Sequence, residues 1–342
     1  MMTTRGFWVL LAALALAFSS LMAFADDYYI DPENGSDSTG GGSATAPWKT
    51  LTYANSQTKC QGTEENPVAL HALAGVYSPS TNGETFPIEF QQYNTYPPGG
   101  GPATPHYGIL LGVGPHATIF DGEETELVLH TSGYYIAVSG LTITGGNAGG
   151  MRNSITSIMG SSGSFTLERC IIKDNSGGDG LKVFDAGAVK VNDCVFTGNQ
   201  DVGVNRGGAI ALDPRQKQTI TNCLIADNST TAGQGGGIVI EWGCRTTLIN
   251  CTMARNSKHG IYAMTSNYYV KLYNCILWNN EDDICIEGGV PCEIYHCNIS
   301  DGDGQGENGN ISQDPLFVTG AQGDYYLAHA GVNAKKKEAK NK

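Results

Sequence analysis

The chain has 342 residues and a formal net charge of −13, with 20 Lys and Arg against 33 Asp and Glu. This balance argues against nucleic acid as a partner, because affinity for phosphate backbones depends on clustered cations. It also repels anionic glycans wherever no bound cation or local basic strip intervenes. Forty-six Gly and a charged fraction of only 15% favour many short strands joined by turns.

The first 25 residues have the features of a secretory signal peptide. Arg5 precedes an apolar run from Phe7 to Phe18, and the A-x-A pattern of Ala23 to Ala25 precedes Asp26. The run is shorter than the roughly 20 residues that a membrane-spanning helix needs. We therefore expect a secreted, periplasmic or cell-surface protein with no membrane span in its mature chain.

Residues 26–125 are expected to form an N-terminal cap and the first coils of the fold. Tyr28–Ile30 has the composition of a short strand, and a turn-rich stretch follows it. The segment Trp48–Ala54 is typical of the start of a short helix, which we expect to close one end of the fold. Two further strands are predicted within Gly108–Gly122, on either side of a Gly-Pro break.

A repeated segment dominates residues 165–299. Its six copies read LERCIIKDN, VNDCVFTGN, ITNCLIADN, LINCTMARN, LYNCILWNN and IYHCNISDG, with cysteines at Cys170, Cys194, Cys223, Cys251, Cys275 and Cys297. In the first five copies an Asn follows the Cys by five residues, at Asn175, Asn199, Asn228, Asn256 and Asn280. Spacings of 22 to 29 residues predict a solenoid, and the alternation of apolar and polar residues predicts strands.

A second strand precedes most of these copies. The segments are Gly180–Phe184, Gly208–Leu212, Gly237–Glu241, Gly260–Met264 and Asp283–Glu287. We expect the first and third residues after each opening residue to point inward, and the second and fourth to point outward. This alternation predicts an outward face made of Lys182, Phe184, Ile210, Leu212, Val239, Glu241, Tyr262, Met264 and Glu287.

The Cys and Asn ladders are interpreted as scaffold. Equivalent cysteines of stacked coils point the same way, which is poor disulfide geometry, and no CxxC spacing indicates zinc. Each Asn is expected to adopt a left-handed turn and to bond the backbone of the next coil. Cys285 and Cys292 flank a GGVP turn and are the better disulfide candidates, whereas Cys60 and Cys244 are unassigned.

With these ladders the chain resembles the secreted right-handed parallel β-helix proteins of the pectate-lyase-like superfamily. YYIDPENGSD, APWKTLTYA, AGVYSPSTNGETFPI and ATIFDG are similar to an uncharacterised N-terminal β-helix-associated domain, and DPLFVTGAQGDYYLAHAG resembles a closing segment. The resemblance implies an all-β, single right-handed parallel β-helix of about seven to nine coils with an N-terminal cap. We expect regular coils in 126–300, a closing segment in 301–331 and a basic, disordered tail in 332–342.

The resemblance implies sugar binding on the outward strand face and its flanking loops. Asp185, Asp213 and Glu241 are expected on three consecutive coils, where oxygen ligands suit a Ca²⁺ ion. Lys182 or Arg215 could remove the acidic α-proton of a uronate, and Trp242 and Tyr262 could stack on substrate. The resemblance therefore implies a secreted protein that acts on or binds polysaccharide, and with these residues its expected activity is that of a calcium-assisted lyase or epimerase of uronate-containing glycans.

Plainer explanations compete with each of these assignments. Carboxylates at strand ends are commonly solvated, and the aromatic rings would serve equally well to cover long loops. The alternative function is a non-catalytic, adhesin-like or structural solenoid that binds glycans. In both cases we expect a monomer whose partner is an extracellular polysaccharide or a cell-surface glycan. The Gly-rich segment 300–310 is predicted to be a turn rather than a calcium loop.

Overall fold

The computed structural model describes residues 26–154, 163–184, 187–203, 207–213, 217–241, 243–265, 268–320 and 323–327. The expected signal peptide and basic tail lie outside these residues. The described chain winds through three parallel sheets, A, B and C, in a fixed order, so that each turn of the chain adds one strand to each sheet. Sheets of ten, nine and eight strands confirm a parallel β-helix.

The strands of each sheet are short and stack in register. Sheet A contains Asp26–Ile30, Val68–Ala72, Tyr107–Gly112, Tyr135–Ser139, Ser164–Glu168, Ala188–Asn192, Lys217–Thr221, Arg245–Ile249, Tyr269–Tyr273 and Cys292–Tyr295. Sheet B contains Gly75–Tyr77, Thr118–Asp121, Thr142–Thr144, Ile171–Lys173, Val195–Thr197, Leu224–Ala226, Thr252–Ala254, Ile276–Trp278 and Asn298–Ile299. Sheet C contains Ile88–Gln92, Leu129–Gly133, Met151–Ser154, Leu181–Phe184, Ile210–Asp213, Ile238–Ile240, His259–Ala263 and Asp282–Ile286. Gln200–Asp201 and Ser229–Thr230 form a small parallel pair beside them.

The core is a set of apolar columns that run along the axis of the coil. Leu167, Val191, Ile220, Leu248 and Leu272 of sheet A occupy one such column and are fully buried. Each coil can bury this surface only by stacking on its neighbours, so the whole solenoid shares one core.

The repeated cysteines belong to this core, as predicted. They are at most 3% exposed, and each described cysteine is a free thiol. The Cys194 Sγ lies 3.2 Å from the carbonyl oxygen of Asn192, to which it donates. Burial raises the pKa of Cys194, because a thiolate at this position would lose its hydration. The favoured disulfide partners Cys285 and Cys292 are also free thiols, so their pairing is not seen.

The asparagine column is a continuous buried hydrogen-bond ladder between sheets B and C. Each side-chain amide donates to the side-chain oxygen of the next coil, from Asn175 to Asn199 at 2.9 Å and from Asn228 to Asn256 at 3.0 Å. The same oxygens accept the backbone N–H of the preceding rung. Gly146 occupies the rung before Asn175 and donates its backbone N–H to that side chain. Bonds between coils are therefore present as predicted, but the backbone groups of other coils that each side chain contacts belong to the preceding coil and not to the next one.

The left-handed residue of each turn is not the ladder Asn, as expected, but the residue before it. The residues immediately before each repeated Cys and each ladder Asn have positive φ, between 52° and 68°. They are Arg169, Asp193, Asn222, Asn250, Asn274 and His296 before the cysteines, and Asp174, Gly198, Asp227, Arg255 and Asn279 before the asparagines. The ladder asparagines themselves are not among the residues with positive φ, and their side chains are buried inside the coil.

A column of small residues opens the strands of sheet C and makes room for the ladder. A Cβ placed on Gly180 would lie 2.7 Å from the Ala209 carbonyl oxygen and 2.9 Å from the Asn199 amide carbon. On Gly260 it would lie 2.9 Å from the amide nitrogen of Asn280. These glycines are therefore needed because the backbone and the amide ladder approach closely at this corner.

A helix covers the start of the coil, and a hairpin packs against one side of it. Helix α1, Leu51–Thr58, packs Leu51 and Ala54 into the first coils, as the sequence predicted. Its N-terminus is capped by Thr50 and by the buried carboxylate of Glu84, which accepts from the backbone of Leu51 at 2.7 Å. On the outward face of sheet B an antiparallel hairpin, Phe317–Gly320 and Gly323–Leu327, packs Tyr325 against Ala226 and Ala254.

Candidate functional site

The outward face of sheet C carries most of the side chains singled out from the sequence. Strand pairing aligns Lys182 with Ala211, Val239 and Tyr262 in one outward row. Ile210 and Leu212 were wrongly expected to face outward, because they align with the core residues Leu181 and Val183. The position equivalent to Gly180 and Gly237 is occupied by Ala209 and not by Gly208, so the expected alternation was shifted by one residue.

Lys182 and Glu241 form an ion pair across this face. Lys182 Nζ contacts Glu241 Oε1 although the two residues belong to coils that are two steps apart. Ala211 lies on the strand between them, as the register partner of Lys182. Both side chains are largely buried, at 7% and 13% exposure. The Lys182 ammonium also lies 5.0 Å from the centroid of the Phe184 ring.

The structure describes two of the three predicted calcium ligands, Asp213 and Glu241. Asp213 directly follows Leu212, whose register partner Ile240 directly precedes Glu241, so the two carboxylates belong to successive coils of one outward row. Asp185, Arg215 and Trp242 lie outside the described residues. The calcium site and the role of Arg215 therefore stay predictions, and Lys182 is the predicted base that can be placed beside a carboxylate.

Tyr262 is held between two neighbours on this face. Its ring stacks on that of His259 with centroids 5.5 Å apart, and its hydroxyl donates to Glu287. Burial, together with the carboxylate of Glu287, raises the pKa of Tyr262. The residue is only 4% exposed, so the predicted stacking of a sugar on Tyr262 would require the ring to be uncovered.

A mixed cluster of three ligand-type side chains lies at the end of the same face. A ring nitrogen of His259, the thiol of Cys285 and a carboxylate oxygen of Asp282 lie within 4.8 Å of one another. His259 and Asp282 are register partners on adjacent strands, and Cys285 is the partner of Tyr262. The sequence does not single out this group, because the GGVP turn favours Cys285 as a disulfide partner of Cys292.

The outward face of sheet A carries four cations, in two neighbouring rows, that the sequence reasoning did not single out. We call Lys190, Lys217, Arg245 and Lys271 the cationic strip; they occupy four consecutive strands. Lys190 and Lys217 are exposed, and Arg245 and Lys271 are half-buried. The period-two alternation of these strands could have revealed the strip, since all four residues occupy polar positions.

Aromatic rings accompany the cationic strip. The Arg245 guanidinium lies 3.8 Å from the centroid of the Tyr268 ring, and Tyr268 is 56% exposed. Lys271 Nζ lies 5.0 Å from the Tyr269 ring and 2.9 Å from Glu293 Oε1. On the same face the rings of Tyr273 and Tyr295 stack at 5.3 Å. Cations and flat apolar rings are thus interleaved on an accessible sheet surface.

The outward face of sheet B is occupied in part by the C-terminal hairpin. Arg255 donates to Asp227 at 2.9 Å, and the Tyr325 hydroxyl donates to the same carboxylate. Burial opposes ionisation of Asp227, yet the hydrogen bonds from Arg255 and Tyr325 keep its pKa below the ordinary value. This triad fixes the hairpin, and beyond it a groove of about 550 Å³ lies over the earlier coils, lined by Ile119, Thr144 and Lys173 among others.

Comparison with known proteins supports the architecture. Residues 157–310 match the family model described as "Right handed beta helix region". The solved structure of pectate lyase Pel9A superposes with a TM-score of 0.51 at 17% identity, covering 85% of this chain and 82% of that one. A Geobacillus virus E2 protein, ORF18, gives a TM-score of 0.50 at 13% identity, and the alignment covers 85% of this chain but only 56% of the viral one.

Two further comparisons complete these findings. Pectin methylesterase from carrot matches with a TM-score of 0.41 at 11% identity over 85% of this chain and 89% of that one. No curated protein matches by sequence. Among the described residues there is no helix of the length and apolarity that crossing a membrane requires. The chain thus has the right-handed parallel β-helix fold, as the sequence resemblance implied.

Proposed function

We propose that this protein binds acidic polysaccharide along the outward face of sheet A. The observation that carries the proposal is the cationic strip, which places one cation on each of four consecutive strands of a chain with net charge −13. Strands spaced by about 4.8 Å repeat at a length similar to one sugar ring of a polymer. Successive carboxylates of a uronate chain could therefore meet successive coils.

The chemistry of the strip suits such a ligand. Guanidinium and ammonium groups bind carboxylates, and exposed rings such as that of Tyr268 pack against the apolar faces of sugars. Elsewhere the acidic surface repels a polyanion, so the local strip would also determine where the polymer binds. The likeness to pectate lyase Pel9A concerns the fold, and it makes polygalacturonate and alginate the first ligands to test.

Charge reversal in the strip should abolish most of this binding. For Lys190→Glu together with Lys217→Glu we expect affinity for polygalacturonate to fall at least tenfold, which corresponds to about 1.4 kcal/mol. Binding of the wild type should also weaken as salt is raised, because the attraction is between exposed charges. Isothermal titration calorimetry at two salt concentrations measures both effects.

The matched control changes the same charge at another place. Lys59→Glu with Lys173→Glu alters the net charge equally, but Lys59 follows helix α1 and Lys173 lies on sheet B. This variant should keep at least half of the wild-type affinity. Equal losses in both double variants would show that only net charge matters, and unchanged affinity of the Lys190/Lys217 variant would refute binding at sheet A.

A lyase or epimerase activity at sheet C is the second candidate. The contact between Lys182 and Glu241 favours it, because it places a basic side chain beside a carboxylate on one outward face. In elimination, the base would take the proton α to the uronate carboxylate, the C4–O bond would break and a C4=C5 double bond would form. The ion pair must open first, since Lys182 can accept a proton only as a neutral amine.

This candidate predicts a calcium-dependent rise in the absorbance of unsaturated uronate on pectate or alginate. Lys182→Met should reduce turnover about 100-fold or more, the usual contribution of a general base, whereas Lys173→Met should leave it unchanged. Epimerisation would instead alter the ratio of uronate epimers, which NMR detects. If no polysaccharide gives either product, with or without Ca²⁺, catalysis is excluded and binding alone remains.

A further inference from the structure

The last two strands of sheet C bring three different metal-ligand types to one point. His259 and Asp282 open adjacent strands and are register partners, and Cys285 lies three residues further along the second strand. The His259 Nδ1 and a carboxylate oxygen of Asp282 are 3.0 Å apart. The thiol of Cys285 completes a triangle in which no two ligand atoms are more than 4.8 Å apart.

These separations are close to those of a tetrahedral metal site. With metal–nitrogen and metal–oxygen bonds near 2.1 Å and a metal–sulfur bond near 2.3 Å, neighbouring ligand atoms lie about 3.3–3.6 Å apart. Small side-chain rotations would therefore bring all three atoms onto one ion. The ring of His259 is already restrained, because that of Tyr262 stacks on it at an interplanar angle of 20°. Asp282 is 45% exposed, so an ion could reach the group from solvent.

We propose that His259, Asp282 and Cys285 form a binding site for a thiophilic divalent cation of the Zn²⁺ class. A thiolate, an imidazole and a carboxylate together favour Zn²⁺ or Co²⁺ over the hard ions Ca²⁺ and Mg²⁺, which prefer oxygen alone. Three protein ligands leave a fourth position for water or another group. The proposal is independent of polysaccharide binding at sheet A, because it uses a different face.

The surroundings of the thiol fit such an ion. Burial, then the negative charges of Asp282 and Glu287, raise the pKa of Cys285 in the metal-free protein. A bound dication would reverse this effect and release the thiol proton on binding. Affinity should therefore increase with pH. A second group, Asp282 with Asp301 and Asp303, shares one carboxylate with the site but offers oxygen ligands only.

Cobalt provides a probe that reports on the thiolate itself. Titration of the full chain with Co²⁺, in the presence of a thiol-free reductant, should give a saturable thiolate-to-cobalt charge-transfer band with one equivalent bound. Zn²⁺ should displace the cobalt, and Ca²⁺ should not. Cys285→Ser should abolish the band and weaken binding at least tenfold, and His259→Gln should weaken binding to a similar extent.

The control variant is Cys292→Ser, because Cys292 is also partly buried but lies on sheet A. It should keep the band and the affinity of the wild type. Asp301→Asn with Asp303→Asn should likewise keep the band. Thermal unfolding of each variant without metal confirms that it is folded before titration. The proposal is overturned if no charge-transfer band forms, or if Cys285→Ser binds Co²⁺ as tightly as the wild type.

Discussion

Replacing Asn228 by Ala should lower the free energy of unfolding by about 3–6 kcal/mol, since several buried polar groups lose partners at once. The Asn228 side chain accepts from the backbone and the amide of Asn199 at 3.1 and 2.9 Å. It donates to the carbonyl of Phe196 and to the Asn256 side chain, each at 3.0 Å. The residue is 1% exposed, so water cannot replace these partners without opening the coil.

Chemical denaturation followed by circular dichroism measures the effect, with Asn222→Gly as the matched control. Asn222 belongs to the same coil and donates to Asp193 at 3.0 Å, but it is exposed and has a φ of 55° that glycine tolerates. We expect this control to cost less than about 1 kcal/mol. If the two variants unfold at the same denaturant concentration, the buried ladder contributes no more than an exposed hydrogen bond.

Gly237→Ala should destabilise the protein by about 2–4 kcal/mol, because the added methyl group overpacks a backbone contact. A Cβ at this position would lie 2.2 Å from the carbonyl oxygen of Gly260 on the next coil. That oxygen belongs to the backbone, so the coils would have to separate locally. The separation would also strain the amide ladder, since Gly260 packs against the Asn280 side chain.

Gly41→Ala provides the comparison for this substitution. No atom lies within 4 Å of a Cβ placed on Gly41, and its φ is not in the left-handed region. That variant should be as stable as the wild type or slightly more stable, because alanine reduces the entropy of the unfolded chain. A thermal midpoint for Gly237→Ala equal to that of Gly41→Ala would show that the coils can separate at little cost.

The coils could be predicted from the sequence because each repeated residue stacks on the equivalent residue of the neighbouring coil. Cys194 lies beside Cys170 and Cys223, so a spacing in the sequence becomes a column in space. The same reasoning placed Lys182 on the outward face, where the structure has it. It failed at Gly208, because Ala209 is the residue equivalent to Gly180, and an alignment that is wrong by one residue exchanges the inward and outward positions of a strand.

Contacts between non-repeating segments could not be predicted in this way. Tyr325 reaches Asp227 across 98 residues, and no periodicity connects the two. The meeting of His259 with Cys285 depends on the register of two strands, and an error of one residue would point the thiol into the core.

The way the asparagine ladder ends has a consequence for assembly. Each ladder amide donates to the Asn side chain of the following coil, but Asn280 donates to Asp283 at 2.7 Å. An ionised carboxylate has no proton to donate, so the ladder ends at Asp283. The other oxygen of Asp283 accepts from Ser300, within the loop that folds over this end. With Asp282, Asp301 and Asp303 close by, a second copy approaching end to end would meet negative charge instead of an unfinished ladder. The charged end of the final coil therefore disfavours end-to-end association of two copies, which would extend the parallel sheets into a filament.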